Sequence, residues 1–218
     1  MPPLAQPPAN SHFTLLNSPL SDPDFAQLRP GLWVWHAYDP GVKTELFSSA
    51  IANSSGFYLV DPIPLPEAHL AAFTGTGSVA GVIVTNANHQ RSALDYSDRF
   101  GVPVFGQPEA LATIQPARAG ELSALTADLQ VVEIPGAVTG EIALYQPSNG
   151  TLIVGDALIN LEAYGFTFLP AKYCLDQKQM RRSLRKLLPL TVERILFAHG
   201  TPIVSRASER LRALLEPS

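Results

Sequence analysis

Cysteine is the scarcest reactive residue in this sequence. The 218 residues contain a single cysteine, Cys174. One thiol excludes an internal disulfide framework and any zinc site built from several cysteines. Because Cys174 lies in an aromatic, apolar stretch without a visible partner group, we expect a buried structural thiol and not a nucleophile.

Charged residues are also few. They make up 16% of the chain, against roughly 25% in ordinary soluble domains. The deficit indicates either extensive burial or a surface used in a subunit contact, such as a homodimer. The net charge of −4 predicts no nucleic acid partner, because neutralising phosphates requires clustered lysine and arginine.

Long hydrophobic runs are absent from the sequence. No run approaches the roughly 20 apolar residues that a membrane-spanning helix needs. The opening stretch, "MPPLAQPPANS", has neither the basic start nor the apolar run of a secretory signal. These absences predict a cytoplasmic protein without a membrane partner.

What the chain does contain is a regular succession of apolar strands and helical patterns. Residues 1–11 are predicted to be a disordered, proline-rich tail, and residues 12–218 a single domain. Short strands joined by turn residues come first, a β-α-β unit follows, and then more strands precede two helices. Burying all of these strands requires an α/β fold, a four-layer αββα sandwich in which two mixed sheets pack face to face with helices outside. The predicted strands are residues 32–38, 45–52, 56–62, 80–86, 102–106, 129–135, 141–147, 150–156 and 194–200, and the predicted helices are residues 66–73, 92–100, a short turn near Glu109, 176–188 and a last one from Ser205.

Polar side chains follow several of these strands at their carboxyl ends. They are Asp61, the cluster "NANHQR" at residues 86–91, Thr139, Asp156 and His199. In a sandwich of this kind such strand ends converge at one edge, where loops on a rigid scaffold hold reactive groups well. This edge is therefore the predicted functional site.

At these positions the sequence resembles the metallo-β-lactamase fold hydrolases, over about residues 31–205. The resemblance implies the αββα sandwich and two zinc ions, whose bridging hydroxide attacks an ester, lactam, thioester or phosphoester. The matching stretches are "GFYLVDP" for the strand ending in a structural Asp, "VIVTNANHQRS" for T-H-x-H-x-D-H, "IPGAVTGEIALY" for G-H-T-P-G-S, "LIVGDAL" for the metal-bridging G-D and "ILFAHGTPIV" for the last H-G.

When the family's motifs are matched to this sequence position by position, most of the zinc ligands are missing. Asp156 and His199 stand where the family has ligands, whereas Asn86, Asn88, Gln90, Arg91 and Ala137 stand where it has histidine or aspartate. Amide side chains bind zinc poorly, alanine does not bind it, and a permanently charged guanidinium repels a divalent cation. We therefore expect no two-zinc centre and no cofactor, with a single divalent metal as the alternative.

Arg91 suggests what replaces the metal. If its guanidinium takes the space of the second ion, it faces Asp156, and a bidentate arginine satisfies both oxygens of a buried carboxylate. We therefore hypothesise an Arg91–Asp156 ion pair with Asn86, Asn88, Gln90 and His199 as hydrogen-bonding neighbours. His89 falls on a position that the family leaves variable, and we expect it to be a partly exposed residue that caps the helix at Ser92.

Three functions fit this sequence. The favoured one is a binding or structural protein without zinc, with a polar pocket around Arg91, Asp156 and His199 that takes a small molecule. The second is a hydrolase of small esters, lactones or related acyl compounds with one metal on His89, Asp156 and His199. The third is metal-free catalysis by His199, with Arg91 as the oxyanion stabiliser. The aromatic stretch at residues 158–173 is predicted to shape a pocket, cover the cavity or form a dimer contact.

Overall fold

The computed structural model describes residues 23–125 and 128–216. The predicted proline-rich tail at residues 1–11 and the start of the predicted domain at residues 12–22 lie outside the described residues.

The first sheet has seven strands, whose order in the sheet follows the chain. Strands β1 to β4 run antiparallel, because tight turns join them, and β4 to β7 run parallel. One such turn follows β2, where the Asp39 carboxylate accepts a hydrogen bond of 2.7 Å from the Gly41 N–H. The strands are β1 (Asp24–Arg29), β2 (Leu32–Asp39), β3 (Thr44–Asn53), β4 (Gly56–Val60), β5 (Val79–Ile83), β6 (Val104–Phe105) and β7 (Ala119–Gly120). The sequence predicted β2 to β6 but not the edge strands β1 and β7.

The second sheet has four strands in the order β13-β10-β9-β8. These strands are β8 (Gln130–Glu133), β9 (Ile142–Gln146), β10 (Thr151–Val154) and β13 (Arg194–Phe197), and β10 runs parallel to β13. The aromatic stretch after β10 contains a separate hairpin, β11 (Leu158–Leu161) and β12 (Gly165–Phe168). The sequence predicts a connection in this stretch and does not predict the hairpin.

Five α-helices occur in the described residues. They are α1 (Glu67–Thr74), α2 (Ala93–Phe100), α3 (Pro108–Ile114), α4 (Gln177–Leu184) and α5 (Ala207–Leu215). Helix α4 begins where the sequence predicted, because the Asp176 side chain accepts a hydrogen bond from the Gln179 N–H at the amino end. It is shorter than predicted, since the chain tightens into a 3-10 turn at Arg185–Leu187.

Apolar side chains fill the space between four layers. Leu144 and Ile153 of the second sheet pack with Ile51 and Ile83 of the first, which joins the sheets face to face. On the outer faces, α1 to α3 pack on the first sheet, and α4 and α5 pack on the second. The predicted αββα sandwich is confirmed. Among the described residues, no helix combines the length and apolar character needed to cross a membrane.

Gly200, directly after His199, gives a test of this packing. Its φ is +109°, and a Cβ there would overlap the backbone of Asn160, which pairs with Gly200 as an isolated bridge. Gly101 also has a positive φ, +66°, but a Cβ there would meet nothing within 4 Å. We expect Gly101→Ala to lower the free energy of unfolding by about 1–2 kcal/mol, the ordinary cost of a left-handed alanine. Gly200→Ala should lower the free energy of unfolding, measured by chemical denaturation, clearly more than Gly101→Ala does. Equal losses of stability in the two variants would contradict the close packing at Gly200.

Candidate active site

The candidate site lies where the parallel strands of both sheets end. Asp61 follows β4, residues 85–91 follow β5, Asp156 follows β10 and His199 follows β13. Because β4 runs parallel to β5 and β10 runs parallel to β13, these polar segments meet at the same edge of the sandwich. This confirms the predicted convergence.

Asp61 is the buried anchor of the site. It is 2% exposed, and its carboxylate accepts hydrogen bonds from the Thr85 N–H at 2.8 Å and from the Thr85 hydroxyl at 2.5 Å. His89 Nδ1 lies 2.9 Å from the same carboxylate. Burial alone would raise the pKa of Asp61, but the His89 charge and hydrogen bond, together with Arg91 and Thr85, lower this pKa below its usual value.

His89 is not the partly exposed capping residue that the sequence predicted. It is 3% exposed, and its ring bridges two carboxylates: Nδ1 contacts Asp61, and Nε2 lies 3.3 Å from Asp156 Oδ1. Burial works against a charged imidazole, but the two carboxylates outweigh it and raise the pKa of His89 to about 9. The prediction failed because the loop turns His89 inwards, towards Asp61.

His199 approaches the same oxygen from the second sheet. Its Nε2 lies 3.3 Å from Asp156 Oδ1, and its Nδ1 lies 3.3 Å from the backbone oxygen of Glu45. A carbonyl oxygen only accepts hydrogen bonds, so Nδ1 of His199 carries the proton. The Asp61 carboxylate assigns the proton of His89 to Nδ1 in the same way. Both Nε2 atoms therefore point at one carboxylate oxygen.

Asp156 is held on its other side by an amide. Asn86 donates from Nδ2 to Asp156 Oδ2 at 3.1 Å and to Glu141 Oε2 at 2.8 Å. Burial alone would raise the pKa of Asp156, but the charge of His89 and the close contacts of both imidazoles with Oδ1 lower it well below its usual range. The carboxylate is therefore ionised at neutral pH.

Glu141 is a residue of this site that the sequence analysis missed. It is 4% exposed, and its second oxygen accepts a hydrogen bond of 2.9 Å from the Ala157 N–H. Burial and the neighbouring charge of Asp156 raise the pKa of Glu141 to about 8, against the opposing effect of its hydrogen bonds. The available signal was an acidic residue directly before the otherwise apolar strand β9.

The hypothesised Arg91–Asp156 ion pair is wrong. The Arg91 guanidinium donates instead to three backbone carbonyls, those of Phe47 at 2.5 Å, Asp61 at 2.9 Å and Ala198 at 3.2 Å. The two histidines and Asn86 already contact both oxygens of Asp156, which leaves no room for a bidentate arginine. Arg91 thus joins β3 and the end of β4 in one sheet to the segment after β13 in the other.

The remaining predicted pocket residues lie around this cluster. The Asn88 N–H donates to Asn86 Oδ1 at 2.8 Å, while the side chains of Asn88 and Gln90 line the cavity above the site. Thr139 contributes its backbone oxygen, which accepts from the Ala87 N–H. Ala137 is fully buried and packs in the apolar core.

A cavity of about 770 Å³ opens above the cluster, within the range of small-molecule sites. Its floor is polar and its walls are mainly apolar, and Val42, Tyr164 and Tyr173 stand exposed at its rim. The aromatic stretch at residues 158–173 thus shapes a pocket, one of its three predicted roles. The lining residues are Asp39, Val42, Lys43, Thr44, Leu46, Asn88, His89, Gln90, Arg91, Val138, Asp156, Ile159, Leu161, Tyr164, Leu169, Pro170, Lys172, Tyr173 and His199.

Comparison with known proteins agrees with this architecture. Residues 26–217 match the metallo-beta-lactamase superfamily, and no curated protein sequence matches the chain. The DIM-1 metallo-beta-lactamase exposed to ceftazidime superposes with a TM-score of 0.70 at 12% identity, over 91% of this chain and 99% of that one. A metallo-beta-lactamase from Erythrobacter litoralis, with beta mercaptoethanol in its active site, gives 0.70 at 19% identity, over 89% and 96%. One from Pontibacter korlensis gives 0.66 at 16% identity, over 90% and 100%.

The fold and the polar edge thus define an αββα sandwich with the metallo-β-lactamase architecture. The chain belongs to the metallo-β-lactamase superfamily, and the resemblance drawn from its motifs is confirmed. The residues present do not fit a two-zinc centre, however. The Asn86 amide uses its donors on two carboxylates and its oxygen on Asn88, and the guanidinium of Arg91 brings a positive charge beside the place of the second ion.

Removing the Arg91 guanidinium should destabilise the fold. We expect Arg91→Ala to lower the free energy of unfolding by on the order of 3 kcal/mol, because buried carbonyls lose a charged donor. Arg91→Lys should recover only part of this, since one ammonium cannot span three carbonyls. Arg99→Ala is the matched control, because Arg99 pairs with Glu67 at the exposed surface, where an ion pair contributes little to stability. Equal losses for both alanine variants in urea denaturation would refute the role of Arg91 as a link between the sheets.

Glu141 should make stability depend on pH. Its folded-state pKa is raised from 4.5 to about 8, so its contribution is fully present below the unfolded pKa and is lost as pH rises through the folded one. Between these values the free energy of unfolding should fall with rising pH. Glu141→Gln should reduce the slope of this fall by an amount that corresponds to at most one bound proton. Urea denaturation of the chelator-treated protein between about pH 5 and pH 8 measures this. Parallel curves for the two proteins would contradict a protonated Glu141.

Proposed function

We propose that the chain is a hydrolase of small ester, lactone or related acyl substrates, with one divalent metal held by His89, Asp156 and His199. The observation that carries the proposal is the convergence of two imidazole Nε2 atoms on Asp156 Oδ1. Among the described residues, these three form the one group of His, Cys, Asp and Glu whose ligand atoms lie close enough to hold an ion, within 4.8 Å of one another.

The spacing suits a cation. Ligand atoms about 2.0–2.1 Å from a tetrahedral zinc lie about 3.4 Å from one another, and both Nε2–Oδ1 separations are 3.3 Å. Neutral imidazoles protonated at Nδ1 would direct two lone pairs at a carboxylate oxygen, which is repulsive unless positive charge lies between them. A divalent ion supplies that charge.

The surroundings of the ligands support the same reading. Histidine ligands usually donate their other N–H to a carboxylate or a carbonyl, which fixes the ring and the tautomer. His89 has this arrangement with Asp61, and His199 has it with the backbone oxygen of Glu45. Asn86 orients the third ligand, Asp156.

The chemistry would then be divided between the ion and the chain. A bound divalent metal activates water and polarises the oxygen of a carbonyl group. Arg91 lines the cavity beside the ligands and would stabilise the negative charge that develops on a substrate oxygen. Asp61 keeps His89 oriented, and the apolar walls place the acyl group and limit the access of water.

A second candidate is a binding protein without metal. It is favoured by the pKa of His89, which is raised to about 9, because an imidazolium between Asp61 and Asp156 also supplies the missing positive charge. In this case the cavity would bind a small molecule without hydrolysing it, or His199 would act as an acid–base group with Arg91 as the oxyanion stabiliser. Metal content distinguishes the two candidates.

The test is elemental analysis of the purified protein after loading with zinc or manganese and removal of excess metal. We expect about one ion per chain, lost in His89→Ala, Asp156→Asn and His199→Ala but retained in His36→Gln, whose histidine pairs with Asp24 and Glu45 outside the cavity. Hydrolysis of nitrophenyl esters and lactones should then disappear with chelation and in His199→Ala. A metal-free protein after loading would overturn the proposal, and so would a metal content that these variants leave unchanged.

A further inference from the structure

We propose that the cavity selects amphipathic organic anions, compounds with a compact apolar body and one carboxylate or similar acidic group, and that Lys43 and Lys172 recognise the acidic group at the rim. The inference deepens the proposed hydrolase function and rests on it for its catalytic meaning. The binding step itself is measurable without metal and without turnover.

The charge of the cavity contrasts with that of the chain. The chain carries a net charge of −4, yet Lys43, Arg91 and Lys172 line the cavity together with only two carboxylates, Asp39 and Asp156. Asp39 is 6% exposed and binds the Gly41 N–H. Asp156 is engaged by two histidines and Asn86. Neither carboxylate is available to neutralise the lysines, so the opening favours an anion.

In residues 23–125 and 128–216, neither lysine makes an ion pair with a carboxylate. The Lys172 ammonium lies 4.6 Å from the centre of the exposed Tyr173 ring, a cation–π contact that keeps it at the rim. Lys43 lies in the turn after β2 whose geometry the Asp39 carboxylate fixes.

The rest of the lining fits the apolar part of such a ligand. Leu46, Val138, Ile159, Leu161 and Leu169 form the walls, and an apolar body gains free energy by leaving water for such a surface. Tyr164 and Tyr173, which are 68% and 59% exposed, stand at the opening, where an aromatic ring contacts a ligand with one face and water with the other.

The polar floor explains why the acidic group belongs at the rim. At the floor, Asp156 and Asp61 already place negative charge around His89, and a third carboxylate there would meet like charge. The bond to be cleaved, which is neutral in an ester or a lactone, suits the floor. The ligand would therefore lie with its acyl bond inwards and its charge outwards.

A matched pair of fluorescent probes tests the inference. Anilinonaphthalene sulfonate carries one acidic group, and N-phenyl-naphthylamine has the same ring system without it. In chelator-treated protein we expect tighter binding of the sulfonate, and we expect Lys43→Gln with Lys172→Gln to weaken it roughly fivefold while the neutral probe is unaffected. Lys178→Gln is the control, because Lys178 is an exposed lysine of α4 outside the cavity.

The outcomes separate this inference from the proposed function. Equal binding of the two probes, or loss of sulfonate binding that Lys178→Gln reproduces, would overturn it. If the lysine variants weaken only the sulfonate and leave the metal content unchanged, the inference is supported. A protein that binds no metal but keeps this preference would overturn the hydrolase and retain the anion pocket.

Discussion

The geometry of this site depends on Asp61. The residue adopts a left-handed backbone conformation, φ +46°, directly after β4, and this turns its carboxylate inwards to Thr85 and His89. Its backbone is engaged as well, because its carbonyl accepts from the Ser48 hydroxyl at 2.7 Å and from Arg91 at 2.9 Å. Non-glycine residues rarely adopt this conformation, and the surrounding hydrogen bonds must stabilise it here. Asp61 thus fixes the loop that places both His89 and Arg91.

Positive charge is distributed between these two residues in a way that keeps the edge neutral. Arg91 donates to uncharged carbonyls, so its charge is compensated at longer range by Asp61 and Asp156. His89 lies directly between the same two carboxylates. Either a proton on His89 or a metal ion at its Nε2 would add positive charge here, so metal occupancy would depend on competition with protons and on the ion available.

The sequence predicts the fold well, because strand and helix periodicity and turn residues determine the layers. It also predicts that Asp61, residues 86–91, Asp156 and His199 meet at one edge, since strand ends in packed sheets converge. It does not predict which way a loop side chain points. Arg91 was assigned to Asp156 and His89 to the surface, whereas φ angles of +46° at Asp61 and +40° at Arg91 direct them to the carbonyls and the carboxylates. No periodicity encodes those angles, and Glu141 was missed because one acidic residue before a strand is usually solvated.

The rigidity of the floor and the openness of the rim have different physical origins. The floor is made of largely buried polar groups that hydrogen-bond to one another and to the backbone, and such networks tolerate little displacement. The rim consists of the turn after β2, the β11–β12 hairpin and a 3-10 turn at Ala171–Tyr173, which carry exposed tyrosines and lysines. Substitution at the rim can therefore alter which ligand enters without disturbing the cluster below, whereas substitution in the floor alters both stability and chemistry. A site divided in this way can change its specificity independently of its chemistry, which is consistent with one fold serving many substrates.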